Sequence, residues 1–206
     1  MSIFEITESI EETIFYMNNS KTTIQDQFLT SVESENFYIY FLNNLDWQSD
    51  TAKIYGKTII TKRKIVWFAD SGLDYNYSGT NRVANGSWND KVFEIKNKLE
   101  SQTGFTFNSC LLNLYHNGNE GMAWHSDDQN HLELNTPVAI VSLGAERFFK
   151  LREIKDKVCQ HKLLLQKGSL LIMLGETQKH WQHEIPKMAT IKEPRISLTF
   201  RTMKKK

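Results

Sequence analysis

Polar and apolar residues alternate in short runs along the second half of the chain. Because the side chains of a strand point to its two faces in turn, an alternation of period two predicts half-buried β-structure. Glycine and proline residues separate the runs and predict turns between them. The pattern predicts strands over residues 106–115, 137–143, 147–153, 162–166, 168–174, 181–185 and 195–202. Many short strands in succession are typical of a barrel or a jelly roll.

The first half of the chain is less regular. Residues 1–35 are polar with weak helical periodicity, and we expect an N-terminal appendage of uncertain order. Residues 88–102 carry apolar side chains at helical spacing, and Gly104 is a suitable stop for that helix. The predicted fold is mainly β with flanking helices and a double-stranded β-helix (jelly-roll) core over roughly residues 105–203. The main domain is expected to span residues 36–206.

The composition is that of an ordinary globular protein. Hydrophobic residues make up 40% of the 206 residues, charged residues 24%, and the formal net charge is +1. This charge neither requires nor excludes a nucleic-acid partner. The sequence has no apolar run long enough to span a membrane and no signal-peptide pattern at its start, so we expect a cytoplasmic protein without a membrane partner. Two cysteines are too few for a disulfide scaffold.

A pair of candidate metal ligands follows the first predicted strand. His125 and Asp127 are two residues apart, so in an extended segment they face the same way. His180 and His183 are candidates for a third ligand, but three residues apart on a strand they face opposite ways, so only one can join. Two imidazoles and one carboxylate can occupy one face of an octahedral ferrous ion and leave positions open. Zinc in the same triad, serving a hydrolase, is an alternative.

The last predicted strand has a polar face that carries two arginines. Alternation places Arg195, Ser197, Thr199 and Arg201 on the same side. Inside a barrel these cations would be costly unless paired, and a dicarboxylate ligand would pair both, because a guanidinium binds a carboxylate in a bidentate way. The alternative is an edge strand whose arginines lie in solvent.

Four separated motifs, taken together, resemble a known family. They are Asn113-x-Tyr115, His125-x-Asp127-Asp128, His180-Trp-Gln-His183-Glu-Ile-Pro186 and Pro194-Arg-Ile-Ser-Leu-Thr-Phe-Arg201. In order and spacing, over roughly residues 50–203, they resemble the AlkB family of iron- and 2-oxoglutarate-dependent dioxygenases, and most of all its DNA-repair demethylases. The resemblance implies Fe(II), with 2-oxoglutarate and O2 as co-substrates.

The resemblance also implies a role for each matching residue. His125, Asp127 and His183 would be the catalytic iron ligands, which selects His183 over His180. Asp128 would touch the substrate base. The residues that would bind 2-oxoglutarate are Asn113, Tyr115, Arg195, Thr199 and Arg201.

The upstream segment, roughly residues 50–85, resembles the substrate lid of the same family. Tyr55, Gly56 and Lys57 would form a finger that intercalates where the damaged base has left the stack. A base must leave the duplex to reach a buried iron, and aromatic side chains can stack on it. Tyr55 and Tyr77 stand where close relatives often carry phenylalanine. The lid residues that would contact the flipped nucleotide are Arg63, Tyr75, Tyr77 and Ser78.

The implied function is repair of alkylated DNA by oxidative demethylation of N1-methyladenine or N3-methylcytosine, which releases formaldehyde, succinate and CO2. The implied partner is double-stranded DNA bound by a monomer, in the nucleoid of a bacterium or the nucleus of a eukaryote. An RNA or single-strand demethylase is an alternative, and so is a catalytically silent jelly-roll binding module. The complete triad argues against the silent module, and the arginine pair argues against a zinc hydrolase.

Overall fold

The computed structural model describes residues 12–17, 19–54, 57–77, 80–83 and 87–205. The strands of these residues are β1 (Glu12–Met17), β2 (Ser20–Gln25), β3 (Gln48–Ile54), β4 (Lys57–Ala69), β5 (Asp74–Tyr77), β6 (Thr80–Val83), β7 (Ser109–Tyr115), β8 (Met122–His125), β9 (Val138–Gly144), β10 (Arg147–Glu153), β11 (Gln160–Leu165), β12 (Leu170–Gly175), β13 (Trp181–Ile185) and β14 (Arg195–Arg201). The helices are α1 (Ser31–Asn44), α2 (Asp90–Thr103) and the short α3 (Thr177–His180).

Two antiparallel sheets form the body of the fold. The large sheet has the order β1-β2-β12-β9-β14-β7-β4-β3, and the small sheet has the order β11-β10-β13-β8. Strands β5 and β6 pair only with each other among the described strands. The architecture is mainly β with a jelly-roll core and flanking helices, so the predicted fold class is confirmed. The strands predicted after Phe105 are confirmed too, although the first begins at Ser109 rather than at residue 106.

Apolar side chains form a core on each face of the large sheet. Between the two sheets, Ile140 and Met173 of the large sheet pack with Phe149 and Trp181 of the small sheet. On the opposite face, α1 and α2 cover the large sheet with their own apolar sides. Because strand side chains alternate, β9 and β12 contribute apolar residues to both cores. Strand β14 instead packs Ile196, Leu198 and Phe200 against the helices and turns its polar face toward the small sheet.

Local capping chemistry sets the helix ends. Thr30 accepts a hydrogen bond from the backbone N–H of Glu33, and the Glu33 carboxylate accepts one from the backbone N–H of Thr30, which is a complete capping box for α1. Asn89 caps α2, and Gly104 ends it with a φ of 73°, in the left-handed region where glycine has no Cβ penalty. The helix predicted over residues 88–102 is confirmed with ends shifted by one or two residues.

The N-terminal segment, predicted as an appendage of uncertain order, contributes to the large sheet in its described part. Strand β2 pairs with β12 along its whole length, and Thr22 and Thr23 are buried there. The division of the chain at residue 36 stays a prediction. None of the helices in the described ranges is long and apolar enough to cross a membrane.

Candidate metal centre and pocket

Two strands of the small sheet bring together the candidate ligands. His125 ends β8, His183 lies in the middle of β13, and the two residues are direct partners in the antiparallel ladder. Asp127 follows β8 by two residues. Ligand atoms of His125, Asp127 and His183 all lie within 4.8 Å of one another. The structure therefore assembles the three residues that the AlkB resemblance selects as iron ligands.

The ring nitrogens of His125 and His183 are available to bind a metal ion. Nδ1 of His125 lies 2.8 Å from the carbonyl oxygen of Ala123, which directs the other ring nitrogen of His125 toward the centre. Nδ1 of the buried His183 has no hydrogen-bond partner within the described residues. A buried polar atom without a partner is costly, and coordination of a metal would satisfy it. The donor set and its geometry fit a ferrous ion.

Burial and charge keep the three groups in the protonation state that metal binding needs. Burial lowers the pKa of His183 to about 3, with a further lowering from His125, and burial also lowers the pKa of His125. Burial alone would raise the pKa of Asp127, but the charge and hydrogen bonds of Arg201 outweigh it and hold that pKa well below its usual range. At neutral pH the site therefore has two neutral imidazoles and one carboxylate.

His180 lies elsewhere. It ends α3, and its Nε2 is 3.1 Å from the carboxylate of Glu176. His183 instead shares the inward face of β13 with Trp181 and Ile185, two positions away on either side. Its ring stacks on that of Phe149, with ring centroids 5.3 Å apart. The structure therefore brings His183 and not His180 to the candidate ligands, because His180 ends a helix and not because the two histidines face opposite ways on one strand.

A pocket lies next to the three candidate ligands, between the two sheets. All five residues predicted to bind 2-oxoglutarate line it, together with Ser197 of the same polar strand face and several apolar residues that the sequence argument did not name. The lining residues are Arg63, Leu111, Asn113, Tyr115, Met122, His125, Asp127, Ile140, Phe149, His183, Ile185, Arg195, Ser197, Thr199 and Arg201. The apolar lining residues lie on strands, where the period-two alternation of the sequence is the signal that could have predicted which of them face the pocket.

Arg195 is a buried cation with unused donors. Its side chain is 1% exposed, its Nη2 donates to Ser142 Oγ at 2.9 Å, and its Nε and Nη1 have no partner within the described residues. Burial, and then the charge of Arg147, lower the pKa of Arg195 to about 10, so the guanidinium is charged at neutral pH. A buried cation without an anion is costly, and an anionic ligand bound next to Arg195 would supply the missing counter-charge and hydrogen-bond acceptors.

Arg201 differs from Arg195 in its partner. Its guanidinium forms a buried ion pair with Asp127. Strand β14, which carries both arginines, lies between β7 and β9 in the large sheet. The alternative of an edge strand with its arginines in solvent is therefore wrong.

Other polar contacts hold the candidate ligand segment in place. Gln178 of α3 accepts a hydrogen bond from the backbone N–H of Asp127 at 2.8 Å, and Ser126 donates to the carbonyl oxygen of Trp181 at 2.8 Å. Sequence reasoning did not identify Gln178, because its contact joins segments that are far apart in the chain.

The predicted substrate residues are only partly described. Arg63 is buried in β4, lines the pocket and pairs with the buried Asp50. Asp128 is exposed, and its Oδ1 accepts a hydrogen bond from the backbone N–H of Asn130. Tyr55, Gly56 and Ser78 lie outside the described residues. For Lys57, Tyr75 and Tyr77 only the strand that contains each of them is described.

The chain is similar to known oxygenases over most of its length. The family model described as "2OG-Fe(II) oxygenase superfamily" matches residues 21–201. "Alpha-ketoglutarate-dependent dioxygenase alkB homolog 3" of Bos taurus is 34% identical over 192 residues, which cover 89% of this chain and 66% of that protein. "DNA oxidative demethylase ALKBH2" of Arabidopsis thaliana is 33% identical over 201 residues, which cover 85% of this chain and 64% of that protein.

The chain therefore spans about two thirds of the length of the curated relatives it matches. A solved structure described as "The structure of OsALKBH1" superposes with a TM-score of 0.63 at 14% identity, covering 92% of this chain and 100% of that one. At this identity the likeness shows a shared fold.

Proposed function

Because the chain belongs to the 2OG-Fe(II) oxygenase superfamily, and is AlkB-like within it, we propose that it repairs alkylated DNA by oxidative demethylation of N1-methyladenine and N3-methylcytosine. Family membership confirms two predictions from the sequence: the dioxygenase class, and the use of Fe(II), 2-oxoglutarate and O2. The DNA substrate, its lesions and the products belong to the proposal.

The observation that carries the proposal is the buried Arg195 beside the three candidate ligands. Its Nε and Nη1 have no partner within the described residues, and its side chain lines a pocket that His125, Asp127 and His183 also line. A hydrolase that uses the same three ligands has no need for a buried cation without a partner. A dicarboxylate that chelates the metal at one end and binds Arg195 at the other satisfies both parts of the pocket.

Each group of residues in the pocket would have its own role in the reaction. His125, Asp127 and His183 would hold Fe(II), which when bound activates O2 and supplies the oxidising power. Arg201 orients Asp127. The side chains that would bind 2-oxoglutarate are Asn113, Tyr115, Arg195, Thr199 and Arg201 itself.

Apolar residues of the pocket would exclude water from the reaction. Leu111, Ile140, Phe149 and Ile185 line it beside the polar groups. In the balanced reaction, O2 delivers one oxygen atom to the methyl carbon of the base and the other to the succinate formed as 2-oxoglutarate loses CO2. The N-hydroxymethyl base then releases formaldehyde: the C–N bond breaks, its electron pair returns to the ring nitrogen, and the hydroxyl proton leaves to solvent.

The substrate assignment rests on the names of the relatives and on the lid residues. The name of the Arabidopsis relative describes a DNA oxidative demethylase. Arg63 lines the pocket while paired with Asp50, and we propose that it contacts the flipped nucleotide there. We propose that the finger at residues 55–57 favours duplex DNA, and that Asp128, Tyr75, Tyr77 and Ser78 contact the flipped base.

The test is an assay with iron loaded under anaerobic conditions, followed by 2-oxoglutarate, O2 and a duplex oligonucleotide that carries N1-methyladenine or N3-methylcytosine. We expect succinate and formaldehyde to appear together with loss of the methyl mass. His183→Ala should be inactive, and His180→Ala is the matched control that should remain active. Single-stranded DNA and RNA with the same lesions test the substrate form.

Each result has a distinct meaning. Succinate without demethylation would contradict the substrate and keep the oxygenase. Neither product from iron-loaded protein would contradict the enzymatic function and favour a binding module. Faster turnover of RNA or of a single strand would overturn the duplex assignment. Tyr55→Ala should slow duplex turnover more than single-strand turnover. Equal losses on the two substrates would contradict the proposed role of residues 55–57 in duplex binding.

We also propose a monomer without a membrane partner, with residues 36–206 as the catalytic domain. It would act in the nucleus of a eukaryote or the nucleoid of a bacterium. Sedimentation of the protein alone tests the oligomeric state, and limited proteolysis tests the division at residue 36. A fluorescent fusion in the source cell tests the location.

A further inference from the structure

Arg147 is a fully buried arginine that the proposed chemistry does not use. It is the first residue of β10, its side chain is 1% exposed, and it does not line the pocket. Burial lowers the pKa of this guanidinium, which indicates that its position opposes the charged form. A charge kept at such a position requires a compensating contribution.

The contacts of Arg147 join two loops. Its Nη2 donates a 2.7 Å hydrogen bond to the backbone oxygen of Glu120, between β7 and β8, and another of 2.7 Å to that of Pro186, between β13 and β14. Its Nε has no partner within the described residues. Five N–H donors in a fixed planar fork allow an arginine to hold several acceptors at once, in a geometry that a lysine cannot reproduce.

The same guanidinium lies beside a pocket residue. Its central carbon is 5.8 Å from the ring centroid of Tyr115, and that of Arg195 is 5.6 Å from the same centroid. Within the described residues, neither arginine forms an ion pair with a carboxylate. The buried Glu120 carboxylate is hydrogen-bonded to the backbone N–H and ring of His116, and its charge only partly offsets the effect of burial, which lowers the pKa of Arg147.

Two buried cations beside one ring repel each other, and an anion between or near them would relieve that repulsion. The anion has to enter from the pocket, because Arg195 and Tyr115 line it. Arg195 and Tyr115 are cross-strand partners at one end of β14, whereas Arg201, which contacts the candidate metal ligand Asp127, is at the other end of that strand. The end with Arg195 is thus available to the carboxylate that does not chelate the metal.

We infer that Arg147 is a positioning residue for the distal carboxylate of 2-oxoglutarate. It holds the Tyr115 ring next to Arg195 and adds positive potential behind that ring. The inference rests on the proposed function, because it takes 2-oxoglutarate as the occupant of the pocket. Its consequence is selectivity: Arg147 matters for a 2-oxoacid with a distal carboxylate and not for one without it.

The experiment compares two ligands that differ only at that end. Protein loaded with manganese(II), which does not turn over, is titrated calorimetrically with 2-oxoglutarate and with 2-oxopentanoate. Both have five carbons, and the second lacks the distal carboxylate. For Arg147→Met we expect about a tenfold or larger loss of 2-oxoglutarate affinity, on the order of one charged hydrogen bond, and a loss of 2-oxopentanoate affinity below about threefold.

Controls separate positioning from folding. Arg152→Met removes an arginine from the outward face of the same strand, where it contacts Gln182 and the Trp124 ring, and should leave both affinities unchanged. Manganese affinity and the thermal midpoint are measured for every variant. Arg147→Lys keeps the charge without the fork, so it should show a smaller loss that is still selective for 2-oxoglutarate.

The outcomes are distinguishable. Equal losses of affinity for the two ligands would overturn the inference and indicate that Arg147 only connects two loops by hydrogen bonds. An unchanged affinity for 2-oxoglutarate would overturn it as well. If Arg147→Met does not fold, the ratio of the two losses in Arg147→Lys decides the question in the same way. Failure of the unaltered protein to bind 2-oxoglutarate, with manganese bound, would contradict the proposed function itself and this inference with it.

Discussion

Arg201 donates two hydrogen bonds to the carboxylate of Asp127, from Nε to Oδ2 at 2.8 Å and from Nη2 to Oδ1 at 3.0 Å. Both side chains are buried, so the pair is weakly screened by solvent. The sequence suggested that Arg201 neutralises the co-substrate. The structure shows in addition that it fixes the orientation of a candidate metal ligand.

Replacing Arg201 with lysine should weaken metal binding. Lysine keeps the charge but cannot form two parallel hydrogen bonds to Asp127. Loss of a group that orients a metal ligand typically costs about 10- to 100-fold in metal affinity. Calorimetric titration of Arg201→Lys with manganese(II) checks this, with Arg152→Lys on the outer face of the small sheet as the control. An unchanged manganese affinity in Arg201→Lys would show that Asp127 needs no orientation.

The two neighbouring histidines should respond differently to replacement. His183→Ala removes a candidate ligand and should abolish tight manganese binding, because the remaining imidazole and carboxylate leave the site incomplete. His180→Ala removes only a contact with Glu176 and should keep the affinity of the unaltered chain. Equilibrium dialysis with manganese(II) distinguishes them. Unchanged binding in His183→Ala would place the site elsewhere, and loss in His180→Ala as well would show that this comparison does not isolate the ligand.

Metal binding should be only weakly sensitive to mild acid. Metal competes with protons for an imidazole, so a lowered pKa moves that competition to lower pH. Two imidazoles with the ordinary pKa of about 6.5 would lose roughly a hundredfold in affinity between about pH 7.5 and 5.5.

Since burial lowers the pKa of His183 to about 3, and lowers that of His125, we expect less than about a tenfold loss over that range. Manganese titrations at the two pH values measure it. A hundredfold fall would mean that both imidazoles titrate as they do in water.

The core between the helices and the large sheet should dominate the stability of α1. Phe41 is 0% exposed, so Phe41→Ala should lower the free energy of unfolding by about 3–5 kcal/mol, from lost burial and the cavity left behind. Ile39 lies on the same helix and is 49% exposed, and Ile39→Ala should change that free energy by less than about 0.5 kcal/mol. Urea unfolding measures both. Equal effects would contradict the packing of α1.

The local sequence pattern was enough to predict most strands, and it also predicted which residues of β14 share a face. Alternation placed Arg195, Ser197, Thr199 and Arg201 together, and all four line the pocket. These predictions succeed because a strand has a fixed period, so neighbours in the sequence determine which side chains share a face.

Tertiary structure alone decided how those faces meet. Three contacts join segments that are distant in sequence: the pairing of His125 with His183, the ion pair of Arg201 with Asp127, and the approach of Arg147 to the Tyr115 ring. The insertion of β2 beside β12 is of the same kind. The sequence by itself determined which residues point inward. Which of them touch depended on strand order and register, because these follow from packing the whole core and have no local pattern.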